Sequence, residues 1–144
     1  MIHSKSTTLC IKKANNEVTM TTRLSQITSL LTDYNIVYGR KTLREINEIL
    51  QGIPDNGYLD YEIFESVEPM NMDLHYHDDL EARVITTGLG TFLFPSDDAV
   101  IELQVSAGDY IVIPGKMKHS FKTPGNLAAI RLFTNYDGYI ANYV

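Results

Sequence analysis

Eight short apolar runs, separated by turn residues, follow one another along the chain from Tyr58 onward. The runs are rich in β-branched and aromatic residues, and Gly, Pro or Asp stands in every gap between them. Many short strands at regular turn spacing predict a β-sandwich or a β-barrel. The predicted strands are 58–66, 72–77, 80–87, 90–95, 98–105, 109–113, 117–123 and 127–134.

The residues before this region show a mixed pattern. The predicted elements are a strand at 6–12, a helix at 22–33, a strand at 34–40, and a helix that begins at Thr42 and ends at Gly52 and Pro54. Glu45 follows Thr42 by three residues, which is the spacing of a capping box. We therefore predict an all-β-dominated fold with two N-terminal helices. It forms a single domain over residues 1–144, with a strand and helix segment at 1–56 and a barrel at 57–144.

The composition excludes several classes of protein. The net charge is −6 and there is no run rich in Lys or Arg, which argues against nucleic acid as a partner. There is no apolar stretch of membrane-spanning length and no secretion signal. The single cysteine, Cys10, cannot form an internal disulfide, which fits a reducing compartment. We expect a cytoplasmic protein that acts as a monomer.

Three of the four histidines form one pattern with an acidic residue. His75 and His77 are two positions apart, Glu81 follows them, and His119 lies on a later predicted strand. Three neutral imidazole nitrogens and one carboxylate oxygen suit a transition metal such as Fe²⁺, Ni²⁺, Mn²⁺ or Zn²⁺ better than Ca²⁺ or Mg²⁺. The pattern predicts a metal site.

The spacing sets conditions on the local fold. His75 and His77 share one face of a strand, about 6.6 Å apart along it. Glu81 would lie about 13 Å further on if the strand stayed straight, so the chain must turn at Asp78-Asp79. We expect Glu81 to begin the adjacent antiparallel strand. Arg83 then shares the face of Glu81 and points toward the same cavity.

These residues resemble the two motifs of the cupin superfamily. The first reads His75-x-His77-x₃-Glu81-x₆-Gly88, and the second reads Gly108-x₅-Pro114-x₄-His119. Pro69 and Thr123 stand where those motifs have glycine and asparagine. The resemblance implies a double-stranded β-helix, or jelly-roll, barrel with the metal site in its mouth.

Within the cupins, the chain is similar to the acireductone dioxygenase family. The similarity is strong over 72–143 and includes Ala-Ile-Arg-Leu-Phe and Asp-Gly-Tyr-Ile-Ala-Asn-Tyr, which generic cupins do not share. It implies one Fe²⁺ or Ni²⁺ ion per chain, held by the three histidines and Glu81. In that family, O₂ cleaves an acireductone of methionine salvage. The iron form yields formate and a 2-keto acid, and the nickel form yields formate, carbon monoxide and a shorter carboxylic acid.

The resemblance also implies roles for residues that do not bind the metal. Arg83 matches the arginine that stabilises the substrate dianion and is the predicted catalytic residue. Arg131 lies in an apolar run, so its charge needs a partner, either a substrate oxygen or a structural carboxylate. Phe121 and Tyr139 are candidate walls for the methylthio tail of the substrate, or ordinary core aromatics. The expected partners are a small-molecule substrate and O₂.

Two other functions are compatible with the motifs. One is a different cupin metalloenzyme, such as a sugar isomerase or another dioxygenase. The other is a ligand-sensing cupin without turnover. The segment from Ala129 to Tyr143 favours acireductone dioxygenase over the first, and the four-ligand set with Arg83 favours it over the second. The short N-terminal region, and Leu80 where the family commonly has an acidic residue, keep the sensing module as an open alternative.

Overall fold

The structure, a computed structural model, describes residues 7–51, 58, 60–134 and 140–144. The helices are α1 (Leu24–Thr32) and α2 (Leu43–Gln51). The strands are β1 (Thr8–Lys13), β2 (Val18–Thr21), β3 (Val37–Arg40), β4 (Asp60–Ser66), β5 (Met70–Tyr76), β6 (Glu81–Thr87), β7 (Leu89–Pro95), β8 (Ala99–Ser106), β9 (Asp109–Ile113), β10 (His119–Thr123), β11 (Leu127–Phe133) and β12 (Asn142–Tyr143). The predicted all-β-dominated cupin fold with two N-terminal helices is confirmed.

The strands form two antiparallel sheets. The seven-stranded sheet has the order β12-β5-β10-β7-β8-β1-β2, and the five-stranded sheet has the order β3-β9-β6-β11-β4. Strands that are consecutive in sequence often belong to opposite sheets, as β5 and β6 do. This crossing pattern is the jelly-roll form of a β-sandwich, and it brings strands from both sheets to the same end of the molecule.

The main core lies between the two sheets. Alternate residues of the central strands point inward, and the fully buried ones include Phe92, Phe94, Ile101, Leu103 and Ile111. Helix α1 adds Ile27 and Leu31 to this core. Helix α2 instead contributes Ile46 to a second cluster with alternate residues of β6 and β11. The five-stranded sheet is therefore buried on both faces, and only its inner face looks toward the seven-stranded sheet.

The predicted capping box at the start of α2 is present. Thr42 Oγ1 accepts a hydrogen bond from the Glu45 backbone N–H, and Glu45 Oε1 accepts one from the Thr42 N–H, each at 3.1 Å. The predicted stop at Gly52 and Pro54 lies outside the described residues.

We expect Thr42→Ala to lower the free energy of unfolding by about 1 kcal/mol, because the first turn of α2 loses a satisfied N–H. Urea unfolding followed by circular dichroism measures the change. Ser29→Ala, at an exposed position within α1, is the matched control and should not destabilise the protein. Equal losses in the two variants would contradict the capping role.

A buried carboxylate ties the N-terminal elements to the sandwich. Asp109 is 0% exposed and accepts hydrogen bonds at 2.7–2.8 Å from Tyr38, Arg40, Thr7 and the Ser106 backbone N–H. A buried charge is tolerable only when it is paired and hydrogen-bonded in this way. The network fixes β3 and the start of β1 against the turn between β8 and β9.

Two short strands were not predicted. The first, β2, pairs with β1 across a turn in which Asn16 has φ 71°. The second, β12, is two residues long and pairs with β5. Among the described residues, no helix has the length and apolar character that crossing a lipid bilayer requires.

Candidate metal centre

The three histidines of the sequence pattern meet at one end of the sandwich. His75 lies on β5, His77 directly follows that strand, and His119 begins β10, where it is the register partner of His75. Each is at most 2% exposed. Among the described residues, these three form the group whose ligand atoms all lie within 4.8 Å of one another. The chain therefore carries a buried three-histidine group that could hold a metal ion.

A β-bulge in β5 turns His75 inward. His119 opposes His75, but Phe121 opposes Met72, so β5 carries one extra residue between the two pairs. Met72 packs against the core and has the opposite parity to His75, so a regular strand would point the two side chains to opposite faces. The bulge restores His75 to the inner face, as bulges often do at functional sites.

Backbone carbonyls fix the orientation of all three rings. Nδ1 of His75, His77 and His119 lies 2.7, 2.9 and 2.9 Å from the carbonyl oxygens of Asp73, Ile140 and Met117, respectively. A carbonyl can only accept, so each Nδ1 must carry the hydrogen. The neutral ring then presents the lone pair of Nε2, and all three Nε2 atoms are buried without a hydrogen-bond partner. This is the arrangement by which proteins prepare imidazoles for a metal.

Glu81 joins the histidines from the opposite sheet. The prediction that it begins a strand adjacent to β5 is wrong, because β6 pairs with β9 and β11 in the five-stranded sheet. The Asp78-Asp79 turn carries the chain across the sandwich and not back along the same sheet. The predicted turn itself is present, and so is the shared face with Arg83, whose Nη2 donates to Glu81 Oε1 at 2.7 Å.

The second oxygen of Glu81 faces Nε2 of His77. Glu81 Oε2 lies 2.7 Å from Nε2 of His77, yet neither atom makes a hydrogen bond. With its ring hydrogen on Nδ1, the neutral form of His77 turns a lone pair toward this oxygen, so two lone pairs face each other inside the protein. A cation between the donor atoms relieves this opposition, so the side chains present fit a metal ion.

The protonation states of Glu81, His119 and His75 suit metal coordination. Burial by itself raises the pKa of Glu81, but the Arg83 guanidinium, the close contact with His77 and the Arg131 guanidinium outweigh it and hold that pKa well below its usual range. Burial lowers the pKa of His119 to about 4 and also lowers the pKa of His75. At neutral pH the carboxylate is charged and these two imidazoles are neutral, as coordination requires.

Arg83 is buried against two aromatic rings. Its guanidinium carbon lies 5.3 Å from the centre of the Phe92 ring and 5.0 Å from that of Phe121. Nε and Nη1 are buried without a hydrogen-bond partner. Gly90 leaves the space that Phe121 occupies, because a Cβ at position 90 would clash with the Phe121 ring. Arg83 is thus a rigidly held cation with donors still to satisfy.

Arg131 has a carboxylate partner that the sequence did not reveal. It is the register partner of Arg83 on β6 and of Glu62 on β4. Its Nη1 donates to Glu62 Oε1 at 3.1 Å, and its Nη2 lies 3.8 Å from Glu81 Oε2. Of the two partners expected for Arg131, the structural carboxylate is the one present.

The remaining two predicted site residues have different outcomes. Phe121 is 1% exposed and packs on Phe92, with ring centres 4.7 Å apart. It forms part of the core beneath Arg83. Tyr139 lies outside the described residues.

The metal-free protein should lose stability on mild acidification. The pKa of His119 is about 4 in the folded state and about 6.5 in an unfolded chain, so the unfolded state binds more protons between these values. The contribution of His119 to the free energy of unfolding is therefore fully present above its unfolded pKa. It is lost as the pH falls from that value toward the folded pKa of about 4. The free energy of unfolding should fall by up to about 1.4 kcal/mol per pH unit.

Urea unfolding in EDTA between about pH 7 and pH 4.5 measures this slope. His119→Gln, which has no imidazole to protonate, should reduce the slope to the part that His75 contributes. An unchanged slope in that variant would contradict the assignment to His119.

Comparison with known proteins identifies relatives of the motif region. The model of the ARD/ARD' family matches residues 67–141, just over half of the chain. The acireductone dioxygenase of Aquifex aeolicus (strain VF5) is 40% identical over 72 residues, covering 48% of this chain and 39% of the Aquifex protein. The acireductone dioxygenase of Pseudomonas syringae pv. tomato is 35% identical over 74 residues, with coverages of 50% and 41%. The match thus spans about two fifths of the length of these relatives.

Solved structures share the fold. The acireductone dioxygenase from Bacillus anthracis with a cadmium ion in its active centre superposes with a TM-score of 0.72 at 18% identity, over 95% of this chain and 98% of that one. Oxalate decarboxylase from Bacillus subtilis superposes with a TM-score of 0.51 at 19% identity, over 76% of this chain and 27% of that one. At these identities the matches establish the architecture alone.

Proposed function

Because the chain belongs to the ARD/ARD' family, we propose that it is a metal-dependent acireductone dioxygenase of methionine salvage, acting on a small acireductone and O₂. One observation carries this proposal. Three buried Nε2 atoms lie close together, and Glu81 Oε2 lies 2.7 Å from that of His77, beside a buried arginine with unsatisfied donors. A binding module has no need of such a cation site next to an unsatisfied guanidinium.

His75, His77, Glu81 and His119 would hold a single Fe²⁺ or Ni²⁺ ion, since both metals accept imidazole and carboxylate ligands. Such an ion supplies open coordination positions for the substrate and redox chemistry toward O₂. The relative from Bacillus anthracis, which holds cadmium in its active centre, supports a divalent metal here.

Arg83 would stabilise the anionic form of the substrate. An acireductone is an enediol beside a ketone, and its deprotonated form is electron-rich and negatively charged. Arg83 stays protonated, and its Nε and Nη1 have no protein partner. A fixed guanidinium in a dry site stabilises nearby negative charge far more than one in water. We therefore assign Arg83 as the catalytic residue that favours the dianion.

The aromatic residues keep this end of the sandwich dry. Phe92 and Phe121 pack side by side against Arg83, which is 2% exposed, so water is largely excluded from the guanidinium. Phe121 would act through Arg83 and not as a wall for the methylthio tail. Arg131 would bind a substrate oxygen only through its remaining donors, because Glu62 occupies Nη1. Tyr139 keeps its proposed role as a wall for the tail.

We also propose that residues 1–144 form one cupin domain. Its N-terminal part, 1–56, completes both sheets, since β1 pairs with β8 and β3 pairs with β9. The net charge of −6 supports a small-molecule partner over nucleic acid, and the single cysteine supports a cytoplasmic location. The proposed active unit is the monomer, because all four proposed ligands come from one chain.

The proposed activity can be tested by combining metal analysis with an assay. The purified protein should carry about one Fe or Ni per chain. After anaerobic loading with acireductone, mixing with O₂ should accelerate the loss of the strong ultraviolet absorbance of the substrate. A metal-replete protein that leaves this decay at the uncatalysed rate would exclude the enzyme and favour a sensing module.

A further inference from the structure

Four charged side chains form a connected row on the inner face of the five-stranded sheet. In order they are Arg83, Glu81, Arg131 and Glu62, and we call them the charge row. Arg83 Nη2 lies 2.7 Å from Glu81 Oε1, Arg131 Nη2 lies 3.8 Å from Glu81 Oε2, and Arg131 Nη1 lies 3.1 Å from Glu62 Oε1. Cations and anions alternate along the row. Arg83 pairs with Glu81, and Arg131 lies next to both Glu81 and Glu62.

Arg131 is placed between two carboxylates that compete for it. It hydrogen-bonds Glu62, while its other terminal nitrogen stays beyond hydrogen-bond distance of Glu81 Oε2. That oxygen is the one that faces Nε2 of His77. If Arg131 moved onto Glu81, it would place a positive charge on the oxygen available to a metal. A residue that holds Arg131 away from Glu81 Oε2 therefore affects the metal site.

We propose that Glu62 is a positioning residue that keeps Arg131 off Glu81 and thereby preserves Glu81 Oε2 as a metal ligand. The inference rests on the proposed metal site. The direct contact of Glu62 within the charge row is with Arg131, and its effect on Arg83 is a longer-range electrostatic one. Glu62 lies on β4, outside residues 67–141 that the family model matches.

The location of Glu62 suits this task. Its side chain is 46% exposed, whereas that of Glu81 is 1% exposed. A half-exposed carboxylate keeps part of its hydration, so it can neutralise Arg131 at a small desolvation cost. Alternation along β4 places Glu62 on the inner face with Phe64, which packs against the core, while Glu65 faces outward.

Titration of the metal-free protein with Co²⁺, followed by calorimetry and by the visible spectrum of the bound ion, tests the proposal without any turnover. Glu62→Ala should weaken Co²⁺ binding about tenfold and change the spectrum, because Arg131 then moves onto Glu81. In an Arg131→Gln background the same substitution should change the affinity by no more than about twofold. Glu65→Ala, which removes the same charge from the outer face of β4, should bind Co²⁺ like the wild type.

Each outcome decides the matter. Wild-type Co²⁺ affinity in Glu62→Ala overturns the proposal. An equal loss of affinity from Glu62→Ala in the Arg131→Gln background also overturns it, because the charge of Glu62 would then act on the metal site without Arg131. A loss in Glu65→Ala as large as that in Glu62→Ala also overturns it. In all of these cases the wild type still binds Co²⁺, so the proposed function stands. A wild-type protein that binds no divalent ion overturns both, and thermal unfolding of each variant confirms that it is folded.

Discussion

Replacing His119 by alanine is expected to weaken binding of Fe²⁺ or Ni²⁺ about a thousandfold and to abolish the oxygen-dependent reaction. His119 supplies one of the three converging Nε2 atoms, and its ring is already neutral and oriented by the Met117 carbonyl. Loss of a group that merely orients a ligand costs about 10–100-fold in affinity, and loss of the ligand itself costs more. Equilibrium dialysis with metal analysis measures the change.

The neighbouring residue provides the control for this experiment. Ser120 lies next to His119 on β10 but has the opposite parity and lines the outer face of the seven-stranded sheet. Ser120→Ala should retain metal and activity. If His119→Ala binds the metal as tightly as Ser120→Ala does, the histidine is not a ligand and the metal site is misassigned.

Replacing Arg83 by alanine is expected to preserve metal binding and to lower turnover about 10²–10³-fold, the usual cost of removing a preorganised donor at developing charge. The metal should remain because Arg83 binds Glu81 Oε1, whereas the oxygen that faces His77 is Oε2. Without a metal, the same variant leaves Glu81 with less compensation and should be destabilised by about 3–5 kcal/mol. Metal analysis, steady-state kinetics and unfolding in EDTA separate these effects.

Arg83→Lys is the informative companion variant. It keeps a positive charge next to the rings of Phe92 and Phe121 but lacks the planar fork of donors. Turnover between that of the wild type and that of the alanine variant is the expected result. Metal loss in Arg83→Ala as great as in His119→Ala would instead make Arg83 a structural support of the site.

The strand pattern was predictable because it depends on local chemistry. Alternating apolar residues and Gly, Pro or Asp turns indicate strands whatever their partners, and the Thr42 capping box depends on two residues of one turn. The partner of β6 was not predictable in this way. Neighbours in sequence need not be neighbours in a sheet, and the turn at 78–79 is equally compatible with a hairpin and with a crossing between sheets.

In the metal site, too, the features that depend on a short motif were predictable and those that depend on long-range pairing were not. The histidines and Glu81 stand in a short motif, so their types and spacing carry the signal. Glu62 carries none, because its link to Arg131 joins strands that lie 69 positions apart in sequence. The bulge that turns His75 inward is likewise invisible in the sequence, since it is defined by the register against β10. For Glu62, the alternation of β4 indicates only that its side chain shares a face with Phe64, and does not identify Arg131 as its partner.

The crossing between His77 and Glu81 has a mechanical consequence. Two of the histidines lie on strands of one layer of the sandwich, and Glu81 opens a strand of the other. A cation bound by all of them would cross-link the two sheets at this end of the sandwich. Separation of the sheets there would then require release of the ion first. Loading should therefore slow amide exchange at the adjoining ends of β5, β6 and β10 together, as one unit.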